Sequence, residues 1–420
     1  MDIVLNLQFN VDNLSIVFSI LSFVVFLSAG IFSFEYMKHE GHHVRYTVFY
    51  VLAFIVFQAL CFADNLITYY FFFEMLTLTT FPLVLHSGSK EAIMAGLKYL
   101  FYSLCGAYMV LFGLYFSAPS TNFKFGGYMT ECINSSSVDA RSTALYLLCI
   151  TLMIFGFGVK AGMFPMHAWL PTAHPVAPAP ASAVLSAIIV KAGVLGIIRT
   201  VFYVYGSDFM KGSYVQTLWM IITLTTVFMG SMLAFREDGL KKRLAYSTVS
   251  QVSYILFGLA TFTDDGFRGA ILQVVAHGFV KCGLFLCAGA IIYKTGKTKV
   301  SELRGIGKQM PVTMVCFTVL SLSLIGIPPT GGFVAKWFLA IGSLESGMGV
   351  MTWLGPVILL TSALLTAGYL LPVSMRGFFP GDDFDTENCE NLEPNLLMTI
   401  PIIVLTVLAV LVGMFPGVIR

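Results

Sequence analysis

Lys160, Lys191, Lys281 and Lys336 each lie in a stretch that is otherwise almost wholly apolar. An ammonium at the centre of a membrane helix costs roughly 2.5 to 3.5 kcal/mol on insertion scales, so each must face a polar interior and is a candidate for proton handling. Among the carboxylates only Glu74, in LITYYFFFEMLTLTTF, sits in the middle of an apolar run. Glu74 and Lys160 are therefore the expected ion pair. Such a pair either locks two helices together or opens and closes as a switch, and a helix break beside Lys160 favours the switch.

The other three lysines have no carboxylate in reach of their own spans. Lys191, in SAVLSAIIVKAGVLGIIR, is flanked by small residues that leave room for water. Desolvation opposes its charge, so it is expected to release and regain a proton; snorkelling to an interface is the alternative. His277 and Lys281, in LQVVAHGFVKCGLFL, are four residues apart and share one helix face, which suits a relay, although a lone buried histidine is often structural. Lys336 is the exit candidate. The expected order is Lys160, Lys191, then water, His277 and Lys281, then Lys336. His167 and His174, in HAWLPTAH, are expected to cap and pack the broken region.

Two helix breaks position these groups. In IFGFGVKAGMFPMHAWLP, Lys160 precedes Pro165 by five residues; in SLIGIPPTGGFVAKWFLA, Pro328, Pro329, Gly331 and Gly332 precede Lys336. Proline removes a helical hydrogen bond, and the freed main-chain groups are tolerated at membrane depth only against protein or a water-filled cavity. Interrupted segments at corresponding places in two halves point to a transporter built from repeats.

The rest of the chain fits an all-α polytopic membrane protein. Its 420 residues are 57% hydrophobic and 11% charged, and the mean hydropathy is +0.84, outside the range of a soluble surface. Apolar runs of about 20 residues, each long enough to cross the hydrocarbon core, recur twelve times. They are arranged as a flanking helix at 12–34, a first repeat at 46–203, a second at 214–375 and a last helix at 395–418. Five spans per half make the repeats inverted. Basic residues concentrate after spans 1, 3, 5, 7, 9 and 11, with KKR at 241–243 and Lys294, Lys297, Lys299, Arg304 and Lys308, which puts both termini outside. The first span is expected to stay in the mature protein, because it lacks a basic n-region and a cleavage site.

Several classes are disfavoured. The basic residues form topology signals and no patch, so no nucleic-acid partner is expected. The eight cysteines contain no CxxC pair, and no phosphate loop, GxGxxG or triad stands out, so neither a metal site nor a catalytic centre is expected on this chain. The loops near 117–143 and 376–394 are read as solvated or as partner contacts.

The stretch GVKAGMFPMHAWLPTAHPVAPAPASAVLSAIIVKAGVLGIIR, with KKRLAYSTVSQ and GIPPTGGFVAKW, resembles the antiporter-like proton-pumping subunits shared by respiratory complex I, the Mrp cation/proton antiporters and the membrane-bound group 4 hydrogenases. The resemblance runs over essentially the whole chain. It implies that Glu74 and Lys160 form the switch, that Lys191, His277 and Lys281 relay the proton, and that Lys336 ends the path. Lysine at this last site places the chain nearer the Mrp D-like and hydrogenase-linked members. Typical members have fourteen helices, and residues 10–23 resemble their third, which implies that a neighbouring subunit replaces two N-terminal helices.

The expected function is thus proton translocation within a larger complex in the inner membrane of a prokaryote. Lipid and other membrane subunits are the immediate partners. The driver is a peripheral redox arm, with iron–sulfur and NiFe or flavin centres in partner subunits and no cofactor on this chain. An Mrp-type Na+/H+ exchanger without redox chemistry and a passive scaffold are the alternatives.

Overall fold

A computed structural model describes residues 7–117, 123–126, 140–381 and 390–418. The described residues form helices and no strand. Fourteen of these helices make up the transmembrane framework: α1 (Asn13–Glu40), α2 (His43–Cys61), α3 (Leu66–Val84), α4 (Lys90–Ser117), α5 (Ala140–Ala161), α6 (Leu170–Val176), α7 (Ala179–Tyr205), α8 (Tyr214–Arg236), α9 (Leu240–Ala260), α10 (Asp264–Thr295), α11 (Pro311–Ile325), α12 (Gly331–Glu345), α13 (Val350–Phe378) and α14 (Leu396–Met414). Ten are long and apolar enough to cross a membrane alone. Adding α9, which opens on KKR, and the short pair α11 and α12 read as one interrupted crossing accounts for the twelve expected spans.

Local chemistry sets the helix ends. Asp12 caps α1 by accepting from the Ser15 amide at 2.8 Å, while the Ser15 hydroxyl accepts from the Asp12 amide at 2.8 Å. Asn65 caps α3 through the Thr68 amide at 2.7 Å, and Thr263 caps α10 through the Gly266 amide at 3.1 Å. The starts of α3 and α9 share a second device. Leu66 N–H donates to Phe123 O and Phe125 N–H to Asp64 O, at 3.0 Å each. Leu240 N–H donates to Thr298 O at 2.9 Å and Val300 N–H to Asp238 O at 2.8 Å. An Asp-x-Leu segment thus brackets Lys124 in one half and Lys299 in the other.

Both sequence-inferred breaks occur. The first separates α5 from α6 over residues 162–169; there the Trp169 indole donates to Val159 O at 2.8 Å and the Phe164 amide to Thr226 Oγ1 at 3.1 Å. These side chains satisfy main-chain groups that the interruption frees. The second separates α11 from α12 over residues 326–330. Gly326 ends α11 at φ +96°, a left-handed geometry that favours glycine. Gly331 and Gly332 lie in the first turn of α12 and not in the break itself. Their use is close packing: a Cβ on Gly332 would stand 1.9 Å from Ser323 O.

The helices differ sharply in burial. α1, α2, α4, α13 and α14 turn Phe23, Phe34, Leu52, Phe101, Leu364 and Leu397 outward, as a lipid-facing surface does. By contrast α7 and α10 are almost wholly enclosed by protein. α9 lies beside them with Ser247, Thr248, Ser250, Gln251 and Ser253 all buried. The lysines Lys191 and Lys281 stand in this inner layer. α7 also passes through π-helical turns at Leu185–Ile189 and Arg199–Tyr205, a local widening common at functional sites.

Candidate functional site

The first charged site joins α3 and α5. Lys160 is 1% exposed, and its Nζ donates to Thr77 Oγ1 at 2.7 Å and to Phe73 O at 3.2 Å while lying 4.3 Å from the centre of the Phe73 ring. Glu74 is half-buried, and its Oε1 is enclosed without a hydrogen-bond partner. Ion pairs among the described residues are Lys38–Glu35, Lys124–Asp64, Arg199–Asp12 and Lys242–Glu237. The expected Glu74–Lys160 pair is therefore not closed in this structure. The physical reason is competition: the α3 backbone and Thr77 offer two neutral acceptors, one turn apart, that satisfy the ammonium where it stands.

The second cluster is fully buried. Lys191, His277 and Lys281 are all at most 1% exposed, and Lys191 Nζ lies 2.6 Å from His277 Nδ1. The Tyr69 hydroxyl donates to Ala192 O at the next residue of α7. Lys281 Nζ donates to Leu244 O at 2.9 Å and to the Ser247 hydroxyl. The face of α10 that precedes His277 packs on α12: a Cβ on Gly269 would meet Ala335 O at 3.1 Å, and one on Gly331 would meet the Ala276 methyl at 3.1 Å. Lys336 is thus approached from the 269–276 side of His277, whereas Lys281 lies four residues the other way. His277 thus meets Lys191 at 2.6 Å, and Lys281 lies four residues further along the same helix.

Lys336, half-buried, closes the series. Its Nζ donates to Leu324 O at 2.6 Å and Ile325 O at 2.8 Å, carbonyls freed where α11 stops, and lies 5.0 Å from the centre of the Tyr254 ring. A cavity of about 460 Å3 opens where residues 237–239, the start of α9 and residues 298–299 meet, lined among others by Glu40, Asp238 and Lys241. Lys241 Nζ reaches from it to Pro175 O at 3.1 Å and Ala177 O at 2.6 Å. His174 is buried and stacked at 5.0 Å on Phe285, and His167 stacks at 6.0 Å on Phe164.

Thr77, Ser247, Tyr254, Gln251 and Gln273 were not among the residues singled out from sequence. For Ser247 and Gln251 one signal exists: the run AYSTVSQVS in α9 is too polar for a span unless that helix is central. Among the described residues no group of three or more His, Cys, Asp or Glu gathers as a metal cluster.

Residues 63–366 match the family described as NADH:quinone oxidoreductase/Mrp antiporter, TM, and residues 1–47 match NADH-ubiquinone oxidoreductase (complex I), chain 5 N-terminus. The chain is 33% identical over 370 residues to NADH-quinone oxidoreductase subunit N of Desulforudis audaxviator, covering 85% of this chain and 71% of that protein. It is 28% identical to hydrogenase-4 component B of Escherichia coli, covering 97% of this chain but 62% of that one. Among solved structures, a chain of an archaeal membrane-bound sulfane sulfur reductase superposes with a TM-score of 0.87 at 22% identity, covering 99% of this chain and 82% of that chain. At that identity the likeness establishes the fold.

Proposed function

The chain belongs to the NADH:quinone oxidoreductase/Mrp antiporter transmembrane family, and from that premise we propose that it is a proton-translocating subunit of a multisubunit membrane complex. The carrying observation is the contact of Lys191 with His277 in a core where four lysines are held by hydroxyls, carbonyls or imidazole instead of carboxylates. Neutral partners let an ammonium surrender its proton without leaving a buried anion behind.

In the proposed cycle Lys191 passes its proton to His277 and onward to Lys336, and Lys281, loaded from the side of the cavity beside Lys241, then gives its proton to Lys191. Glu74 and Lys160 act as the switch: when Lys160 leaves Thr77 for Glu74, the field on Lys191 falls, and when it returns the field rises. Moving one charge against 100 mV takes roughly 2.3 kcal/mol, a scale that a charge pair opening in low dielectric supplies. The matched brackets at the starts of α3 and α9 support the reading of residues 46–203 and 214–375 as inverted repeats.

The redox relatives favour a driver in partner subunits, a peripheral arm bearing iron–sulfur with NiFe or flavin centres, and a site in a prokaryotic inner membrane with both termini outside. The apolar outer faces of α1 and α2, including Phe23, Leu27, Val48 and Ile55, suit a neighbouring subunit that supplies two further helices, or lipid. Exchange of Na+ in an Mrp-type assembly is the second reading, carried by the antiporter component of the family.

Lys160→Met and Lys336→Met in the assembled complex, reconstituted in proteoliposomes, test the proposal. Loss of proton uptake with intact assembly is expected. Unchanged uptake from both variants would leave the chain a scaffold.

A further inference from the structure

Protein encloses α10 along most of its length, but the helix comes to the surface in its first two turns, where Asp264 is exposed and Phe267, Arg268 and Ile271 are half-buried. Their spacing puts all four on one face. Beside that face opens a cavity of about 350 Å3, walled among others by the rings of Phe202, Phe262 and Phe267 and by Asp264 and Arg268. Its volume is that of a small-ligand site. Ile292, near the other end of α10, lines the Lys241 cavity, so the two openings lie at opposite faces of the membrane.

Asp264 and Arg268 stand four residues apart, in the order that favours an ion pair along a helix. Among the described residues neither forms one. Arg268 instead lays its guanidinium 4.3 Å from the centre of the Phe338 ring of α12, and its Nε is enclosed without a hydrogen-bond partner. A buried donor on a charged group is costly to leave unpaired, so this one needs a cause. The aromatic wall is equally specific. The Phe202 ring meets Phe267 at 5.0 Å and Phe262 at 5.9 Å between centres, both edge to face, an arrangement that leaves ring faces able to receive an ammonium. Phe262 holds φ +51°, a left-handed geometry uncommon for so bulky a residue, and such strain gathers at ligand clamps.

We propose that this cavity binds the headgroup of a zwitterionic phospholipid, phosphatidylethanolamine, with its ammonium on Asp264 and the phenyl faces and its phosphodiester on the Arg268 fork. A purely anionic headgroup would set a like charge against Asp264, and a purely cationic one would set it against Arg268. One ligand carrying both charges satisfies both side chains while leaving them apart. The ammonium donates to the carboxylate, and the planar guanidinium matches two phosphate oxygens. A membrane face presents such headgroups at high concentration. Ile271, one turn beyond Phe267 toward the membrane interior, begins an apolar track for an acyl chain. The site requires nothing of the proton-carrying reading.

The test uses the full complex in nanodiscs of phosphatidylglycerol, doped with either phosphatidylethanolamine or phosphatidylglycerol that carries a diazirine in one acyl chain. After illumination, mass spectrometry should find the ethanolamine lipid on peptides containing Ile271 or Phe338 at least fivefold above the glycerol lipid. Asp264→Asn should lower ethanolamine-lipid labelling at least fivefold and leave glycerol-lipid labelling no lower, while Arg268→Gln should lower both. Unlabelled phosphatidylethanolamine should compete, and soluble phosphoethanolamine at millimolar concentration should not. Equal labelling by the two lipids in the unmodified complex overturns the proposal, and that comparison needs no variant, so a folding defect cannot obscure it. Competition by soluble phosphoethanolamine overturns it in favour of a free zwitterion. Absence of label from both lipids overturns it as well, because a neighbouring subunit then covers the cavity.

Discussion

Thr77→Val tests the proposed switch without touching a charge. In this structure Lys160 rests on the Thr77 hydroxyl at 2.7 Å and the Phe73 carbonyl at 3.2 Å, with Glu74 unpaired one turn away. Valine keeps the shape of threonine in the helix and removes only the oxygen. A hydrogen bond to a charged group contributes roughly 1.5 to 3 kcal/mol, so the arrangement with Lys160 away from Glu74 loses about that much. At about 1.4 kcal/mol per factor of ten, the balance moves roughly 10- to 150-fold toward the closed Glu74–Lys160 pair. Proton uptake by the reconstituted complex should fall on that scale, and Thr77→Ser, which restores the hydroxyl, should recover most of it. Because no cavity or unpaired donor other than the mobile ammonium is created, assembly and thermal stability should stay near normal. Uptake by Thr77→Val equal to the unmodified complex would refute the switch, since the Lys160 position would then not govern transfer.

Gly332→Ala should destabilise by roughly 1 to 3 kcal/mol as overpacking, because its Cβ would stand 1.9 Å from Ser323 O; a lowered unfolding temperature in detergent checks it. At the loop before α9, bonds from the Ser301 hydroxyl at 2.7 Å and amide at 3.1 Å hold the Asp238 carboxyl below its usual value of 3.8, outweighing partial burial. A depressed folded-state value means that this stabilisation is complete above the unfolded-state value and is lost as pH falls through the lower, folded one. Asp238→Asn should therefore unfold at a lower temperature than the unmodified protein near neutral pH, and the difference should vanish in strong acid; a constant difference across that range would show that the carboxylate charge is not involved.

Much of the fold was legible because a bilayer imposes few solutions. Twenty apolar residues can only cross, and the proline pair Pro328 and Pro329 can only interrupt. The crossing formed by α9 was legible too, although its serines and KKR make it the least apolar of the long helices, because no lipid-facing helix tolerates such a run. The repeats left a weaker mark: the two Asp-x-Leu brackets are backbone bonds, and their sequences, DNL and DGL, are too short to stand out.

The candidate site divides along the same line. Lys160, Lys191, His277, Lys281 and Lys336 stood out because a charge or imidazole in an apolar run is costly and visible in the residue type itself. Glu74 stood out for the same reason, but the groups that hold the lysines did not. Glu74 and Thr77 are three residues apart on one face of α3, and only the packing of α5 decides that the ammonium reaches the hydroxyl. Gln251 and Gln273 lie on different helices and meet only because α9 and α10 are neighbours. The commonest acceptors, Phe73 O, Leu244 O, Leu324 O and Ile325 O, are backbone carbonyls that every residue possesses. Sequence thus determined which groups must be solvated inside the membrane, because the cost belongs to the side chain. What solvates them was decided by tertiary structure, because that depends on distances of a few ångströms between helices that the order of residues does not contain.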